Sequence, residues 1–190
     1  MYNNNNNENN NSCCNTGSAT VQELQQQLYE QGLGIDRVVL GSGSSGTHGG
    51  LLAGFLGNRI AIPITGVGVS RDPAEQAPLV LKEAQAVVDL VLGAAAFTVP
   101  PESVHCVGGY WQPKYSIPNA RMVEAVQMLA RTEGIPLDPV YTGKIMAGLI
   151  GLARAGEFKA GENVLFLHTG GLPSLHAYER EVLGEISLNP

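Results

Sequence analysis

The stretch Arg37 to Gly50 reads RVVLGSGSSGTHGG: a short β-branched run, then ten residues holding five glycines, three serines, a threonine and a histidine. The run RVVL has the size and composition of a buried strand, and LLAGFLG directly after Gly50 reads as a helix. A glycine-rich turn between a strand and a helix brings backbone N–H groups and the positive end of the helix dipole to one point, which is an anion site. Glycine permits positive φ and close approach of backbone to ligand, while the Ser and Thr hydroxyls donate to phosphate oxygens. The stretch lacks the Gly-Lys-Ser/Thr ending of a nucleotide-triphosphate loop, and no acidic residue follows about 20 positions on to hold a ribose. A small phosphate therefore fits better than a nucleotide, although a tight turn with no ligand accounts for the same residues.

Working outward, the chain alternates between the two periods. T-V-Q-E at Thr20 has capping-box spacing and predicts an amphipathic helix with Val21, Leu24 and Leu28. Downstream of the glycine-rich loop, ITGVGVS predicts a strand, Pro73 to Leu92 a long helix with Asp72 as N-cap, and SVHCV another strand. NARMVEAVQMLARTEG predicts a helix from a capping Asn119 to Gly134, TGKIMAGLIGLARAG a further helix ending near Gly156, and NVLFLH the last strand. Strands alternating with helices call for an α/β fold, a parallel sheet with helices on both faces and ligands at the carboxyl ends of the strands.

Composition narrows the function classes. In 190 residues, 44% hydrophobic content suffices for a packed core, and 17 acidic against 11 basic residues give a net charge of -6, which argues against a broad nucleic-acid surface. Three cysteines make neither a disulfide framework nor a zinc pattern, His105 and His176 have no partner pattern, and no metal site is expected. AQAVVDLVLGAAAFTVP carries Asp89 and ends in two prolines, so it falls short of a membrane span. The Asn-rich start, residues 1–19, has no signal or transit character and is expected to be a disordered tail, with order beginning at Thr20. A cytoplasmic setting follows from the lack of a visible targeting signal, with an organelle still open.

Three strings carry a resemblance: GSGSSGTHGGLLAGF, MLARTEGIPLDPVYTGKIMAGLI and NVLFLHTGGLPSLHAY. In order along the chain they resemble the D-cysteine desulfhydrase and 1-aminocyclopropane-1-carboxylate deaminase family, pyridoxal-phosphate enzymes with the fold of the tryptophan synthase β chain. The resemblance implies that Ser44, Ser45, Gly46 and Thr47 form the phosphate cup of pyridoxal 5'-phosphate. It implies that Tyr141 and Tyr115 line the substrate site as catalytic residues, and that Thr169, with Thr142 nearby, stands beside the pyridine nitrogen. Deaminases of the family have DPVYEG where this chain has DPVYTG, so Thr142 replaces a carboxylate that keeps the ring nitrogen protonated. A hydroxyl donates to a neutral nitrogen but cannot hold a proton on it, and the weaker electron sink suits β-elimination of D-cysteine to pyruvate, ammonia and sulfide.

Family members also hold the cofactor as a Schiff base to a lysine well upstream of the glycine-rich loop, followed by a substrate-binding Ser-Asn pair. Neither has a counterpart among Lys82, Lys114, Lys144 and Lys159, and the resemblance gives Lys144 no such role. Residues 20–190 therefore match the C-terminal part of the family's large domain, truncated at its N-terminus, and the chain alone is expected to be inactive. The alternatives are a 1-aminocyclopropane-1-carboxylate deaminase, a non-catalytic phosphate-binding or cofactor-binding module, and an unrelated α/β nucleotide-binding protein. A small amino acid is the implied substrate and a homodimer the implied assembly. His48 fits a helix-start residue as well as a substrate contact, Tyr110 and Trp111 an aromatic wall or packing, Arg71 a capping or surface charge, His168 a structural residue and Cys106 the core.

Overall fold

The computed structural model describes residues 8–94 and 96–184, with side chains from residue 19 onward. Its order is α1 (Glu8–Gln31), β1 (Arg37–Ser42), α2 (Gly46–Gly57), β2 (Ile64–Gly68), α3 (Pro73–Leu92), β3 (His105–Val107), α4 (Ala120–Glu133), α5 (Thr142–Arg154), β4 (Val164–Phe166) and α6 (Glu179–Leu183). The four strands form one parallel sheet in the order β3-β2-β1-β4. Successive β1 side chains serve opposite faces. Val38 and Leu40 pack with Val21, Leu51, Phe55, Val80 and Ala84 of α1, α2 and α3, whereas Val39 packs with Val67, Val69 and Ile145 of α5. A sheet buried on both faces needs apolar residues at consecutive positions, which is why RVVL does not alternate.

The glycine-rich stretch divides in a way its composition hides. Gly41 and Ser42 complete β1, Gly43 to Ser45 make the turn, and α2 starts at Gly46 within the stretch. A helix with five glycines in 12 residues opposes its own propensity, by about 1 kcal/mol for each glycine relative to alanine. Packing overrides that preference: a Cβ at Gly49 would lie 2.9 Å from the backbone nitrogen of Ala84, so only glycine lets α2 approach α3 this closely. Burial of Leu51, Leu52 and Phe55, each worth about 1.5 to 3 kcal/mol, holds the helix on the sheet.

Of the predicted helix starts, that at Thr20 is corrected, and that of α3 at Pro73 stands without the expected side-chain cap. Helix α1 begins at Glu8, so Thr20 lies inside it and does not cap it; of the expected tail, residues 1–7 lie outside the described residues. Extending an existing helix adds a hydrogen bond for each residue fixed, so a helix held by Val21 can run on beyond a capping pattern. Asp72 stands at the N-cap of α3 without a side-chain capping bond, because its Oδ1 accepts from Trp111 Nε1 at 3.2 Å and Gln112 Nε2 at 3.3 Å. Asn119 does cap α4, accepting from Met122 N–H at 2.9 Å, and Gly134 ends that helix at φ 68°. No helix among the described residues is long and apolar enough to cross a membrane.

Candidate functional site

β2 lies on one side of β1 and β4 on the other, so the connections leaving the carboxyl ends of β1 and β4 diverge. Such a reversal in strand order opens a crevice. Here it is a cleft of about 720 Å³ lined by Ser44 from the loop after β1, Thr47 from the first turn of α2, Arg71 from the loop after β2, and Thr169 from that after β4, with Tyr115 and Tyr141 completing the wall. Five sequence-distant segments thus meet at the place predicted for a ligand.

Ser44 and Thr47 are exposed in the cleft, whereas Ser45 is buried with φ 76°. That left-handed turn precedes the first residue of α2, and its side chain points inward to accept from Gln76 Nε2 at 2.9 Å. The Ser45 hydroxyl therefore shapes the loop, and Ser45 has its backbone N–H to offer to an anion. Tyr141 leans on the same loop: a Cβ at Gly43 would sit 3.3 Å from its hydroxyl, so the ring reaches this backbone because no side chain intervenes. Burial, with lesser contributions from Tyr115 and Asp138, pushes the Tyr141 phenol up to about 12. At neutral pH it is a neutral hydrogen-bond donor.

Thr142 is not among the residues that line the cleft. It is fully buried, its hydroxyl donates to Asp138 Oδ1 at 2.6 Å, and it accepts from Asp138 N–H at 2.9 Å. The cause is local: Asp138 also receives the N–H groups of Val140, Tyr141 and Thr142 at 2.7 to 2.9 Å, satisfying the open donors at the start of α5 and drawing in the hydroxyl four residues on. Ser174 Oγ adds a fifth donor at 3.4 Å, so the Asp138 carboxylate is saturated although it borders the cleft. Of the two threonines expected near the pyridine nitrogen, Thr169 is the one that lines the cleft.

The chain belongs to the pyridoxal-phosphate dependent enzymes. That family, described as "Pyridoxal-phosphate dependent enzyme", matches residues 2–170. The chain is 43% identical over 160 residues to the D-cysteine desulfhydrase of Salmonella newport (strain SL254), covering 84% of this chain and 47% of the relative. A crystal structure of an ACC deaminase homologue superposes with a TM-score of 0.63 at 33% identity, over 78% of this chain and 43% of that one. A fungal L-serine ammonia-lyase from Rhizomucor miehei, at a TM-score of 0.53 and 18% identity over 87% of this chain and 55% of that one, shares the fold. The chain spans about half the length of the curated relatives it matches.

The residues present fit the phosphate end of the family's cofactor. A left-handed turn, the start of α2, two exposed hydroxyls and the Arg71 guanidinium converge on a cleft large enough for a ligand of that size. Among the described residues no lysine lines the cleft. Lys144 is fully buried, and its ammonium donates to the carbonyls of Trp111 and Lys114, each at 2.9 Å. Tyr110 packs against α5 with Arg121 5.7 Å from its ring, so it belongs to the core boundary and not to the cleft. His168 accepts from Gly170 N–H and bonds Pro136 O, both at 3.3 Å, in the structural role its position suggests.

The sequence reading missed Gln76, Asp138 and the reach of Arg71. Arg71 Nη1 donates to Gly43 O at 2.9 Å and lines the cleft, so it is more than a surface charge. An Asp four residues before a helix is a capping signal that was visible in LDPVYT. A buried glutamine in the first turn of α3 carries none.

Proposed function

We propose that this chain carries the phosphate-gripping and substrate-facing part of the site of a pyridoxal-phosphate dependent lyase of the D-cysteine desulfhydrase type, acting on a small amino acid. The observation that supports this best is the meeting of the cup after β1 with Tyr141, Tyr115 and Thr169 across one cleft. The backbone of Ser45 and Gly46 with the hydroxyls of Ser44 and Thr47 would hold the phosphate, and Thr169 would face the pyridine nitrogen. When bound, the cofactor supplies the electron sink for charge released at the substrate Cα.

This chain's own residues set the polarity of the site. Thr142 and Asp138 spend their hydrogen bonds on each other, so the case for a neutral ring nitrogen rests on the Thr169 hydroxyl, which can donate but holds no proton on its acceptor. Tyr141, neutral at physiological pH, donates a hydrogen bond and is a poor base in the unliganded chain. Arg71 adds the cleft's positive charge beside the cup. A homodimer, through the family resemblance, and a cytoplasmic setting belong to the same reading.

A second reading, a cofactor-binding module without catalysis, is favoured by the lysines: none lines the cleft, and the Lys144 ammonium is taken up by two carbonyls. One experiment separates the two. The purified chain is given pyridoxal 5'-phosphate with D-cysteine or with 1-aminocyclopropane-1-carboxylate, and sulfide, ammonia and cofactor retention are measured. Sulfide from D-cysteine supports the lyase, ammonia from the cyclopropane acid redirects it to the deaminase, retention without turnover supports the module, and no retention sinks both readings.

A further inference from the structure

We propose that Gln76 is the positioning residue of the phosphate cup. Gln76 stands in the first turn of α3, more than 30 residues from the loop, and is fully buried beneath it. Its Nε2 lies 3.0 Å from Ser42 Oγ, 2.9 Å from Ser45 Oγ and 3.2 Å from Gly43 O, and its Oε1 lies 3.5 Å from Arg71 Nη1. Chemistry fixes which way the amide faces. The Gly43 carbonyl can only accept and the guanidinium can only donate, so the nitrogen meets the loop and the oxygen meets Arg71.

Three consequences follow for the cup. Gln76 spans the whole turn, from the last residue of β1 to the residue before α2. It anchors Ser45 in a left-handed conformation that a serine seldom adopts unaided. That conformation is what turns the chain into α2, so that N–H groups face the cleft. Gln76 and Arg71 also share the Gly43 carbonyl, which seats the guanidinium beside the cup. The loop presents donors outward because this amide occupies its acceptors from behind. Gln76 touches no ligand; it acts through Ser42, Gly43, Ser45 and Arg71, and the ligand class it selects is a phosphomonoester.

The inference rests on the cup reading above, and the test keeps the two apart. Pyridoxine 5'-phosphate and pyridoxine differ only in the phosphate, and neither has an aldehyde to react with lysines. Their affinities for the chain are measured by calorimetry, with folding checked by circular dichroism. The wild-type chain should prefer the phosphorylated compound; lack of preference overturns the cup and this assignment with it. Gln76→Met, similar in length but without donors, should lose about tenfold in affinity for pyridoxine 5'-phosphate while its affinity for pyridoxine stays within about twofold. Equal losses for both compounds, or an unchanged preference, overturn the role of Gln76 alone. Ser45→Gly tests the same link in a chain expected to fold, since glycine takes a positive φ freely. Adding Gln76→Met to Ser45→Gly should then cost no more than about twofold further in affinity for pyridoxine 5'-phosphate, because the left-handed turn no longer needs an anchor. A further tenfold loss in the double variant would show that Gln76 acts other than through Ser45 and would overturn the scheme.

Discussion

Thr142 and His48 show how a polar residue beside a site can serve the scaffold. Because the Thr142 hydroxyl faces Asp138, Thr142→Val should lower unfolding free energy by about 1 to 2 kcal/mol, measured by urea titration. Its affinity for pyridoxine 5'-phosphate should stay within about twofold of wild type. His48 is fully buried at the start of α2, its Nδ1 3.1 Å from Ser42 Oγ and its Nε2 without a protein partner. Burial, with a lesser contribution from His105, lowers its pKa to about 4 from an ordinary 6.5. Between those values the unfolded chain holds the proton and the folded chain does not, so stability falls as pH drops from about 6.5 to 4 and levels off below. The loss from this group totals about 3 kcal/mol, and urea midpoints of His48→Asn should show a flatter profile across that window.

At the scale of elements, the α5 N-terminus is fastened by an aspartate just upstream of it, and the segment before α4 by groups from elsewhere in sequence. Asp138→Ala would leave the first N–H groups of α5 without acceptors and should cost about 3 kcal/mol in urea titration, with Tyr141 displaced from the loop. Lys144 fastens the segment bearing Tyr115 through the Trp111 and Lys114 carbonyls, and Tyr178 Oη holds Ser116 O at 2.9 Å from the other side. A buried ammonium pays heavily for desolvation, which lowers its pKa, so Lys144→Met should change overall stability by no more than about 1 kcal/mol. Hydrogen exchange across residues 109–118 should nevertheless quicken about tenfold as the segment loosens. An unchanged exchange rate would show that Tyr178 suffices to hold it.

At the scale of the whole chain, no lysine among the described residues lines the cleft. Pyridoxal 5'-phosphate added to the chain should therefore be retained through its phosphate and lost on prolonged dialysis. After borohydride treatment, peptide mass mapping should find Lys144 unmodified, because its amine is enclosed by carbonyls. Much of this architecture was legible beforehand. The run RVVL, the capping Asn119 and the three family strings determined a parallel α/β sheet, most element positions and the ligand type, because period, capping and turn chemistry are local properties of the chain. Ser44, Thr47, Tyr115, Tyr141 and Thr169 were found by motif, and the cleft gathers all five. Only the tertiary structure decided that Thr142 turns away from that cleft, that Ser45 is tied from behind by Gln76, and that a charged lysine lies buried. Ser45 and Lys144 bond partners about 30 residues away that the fold brings near, and Thr142 bonds an aspartate only four residues back, but its direction too is set by which side of α5 is packed into the interior.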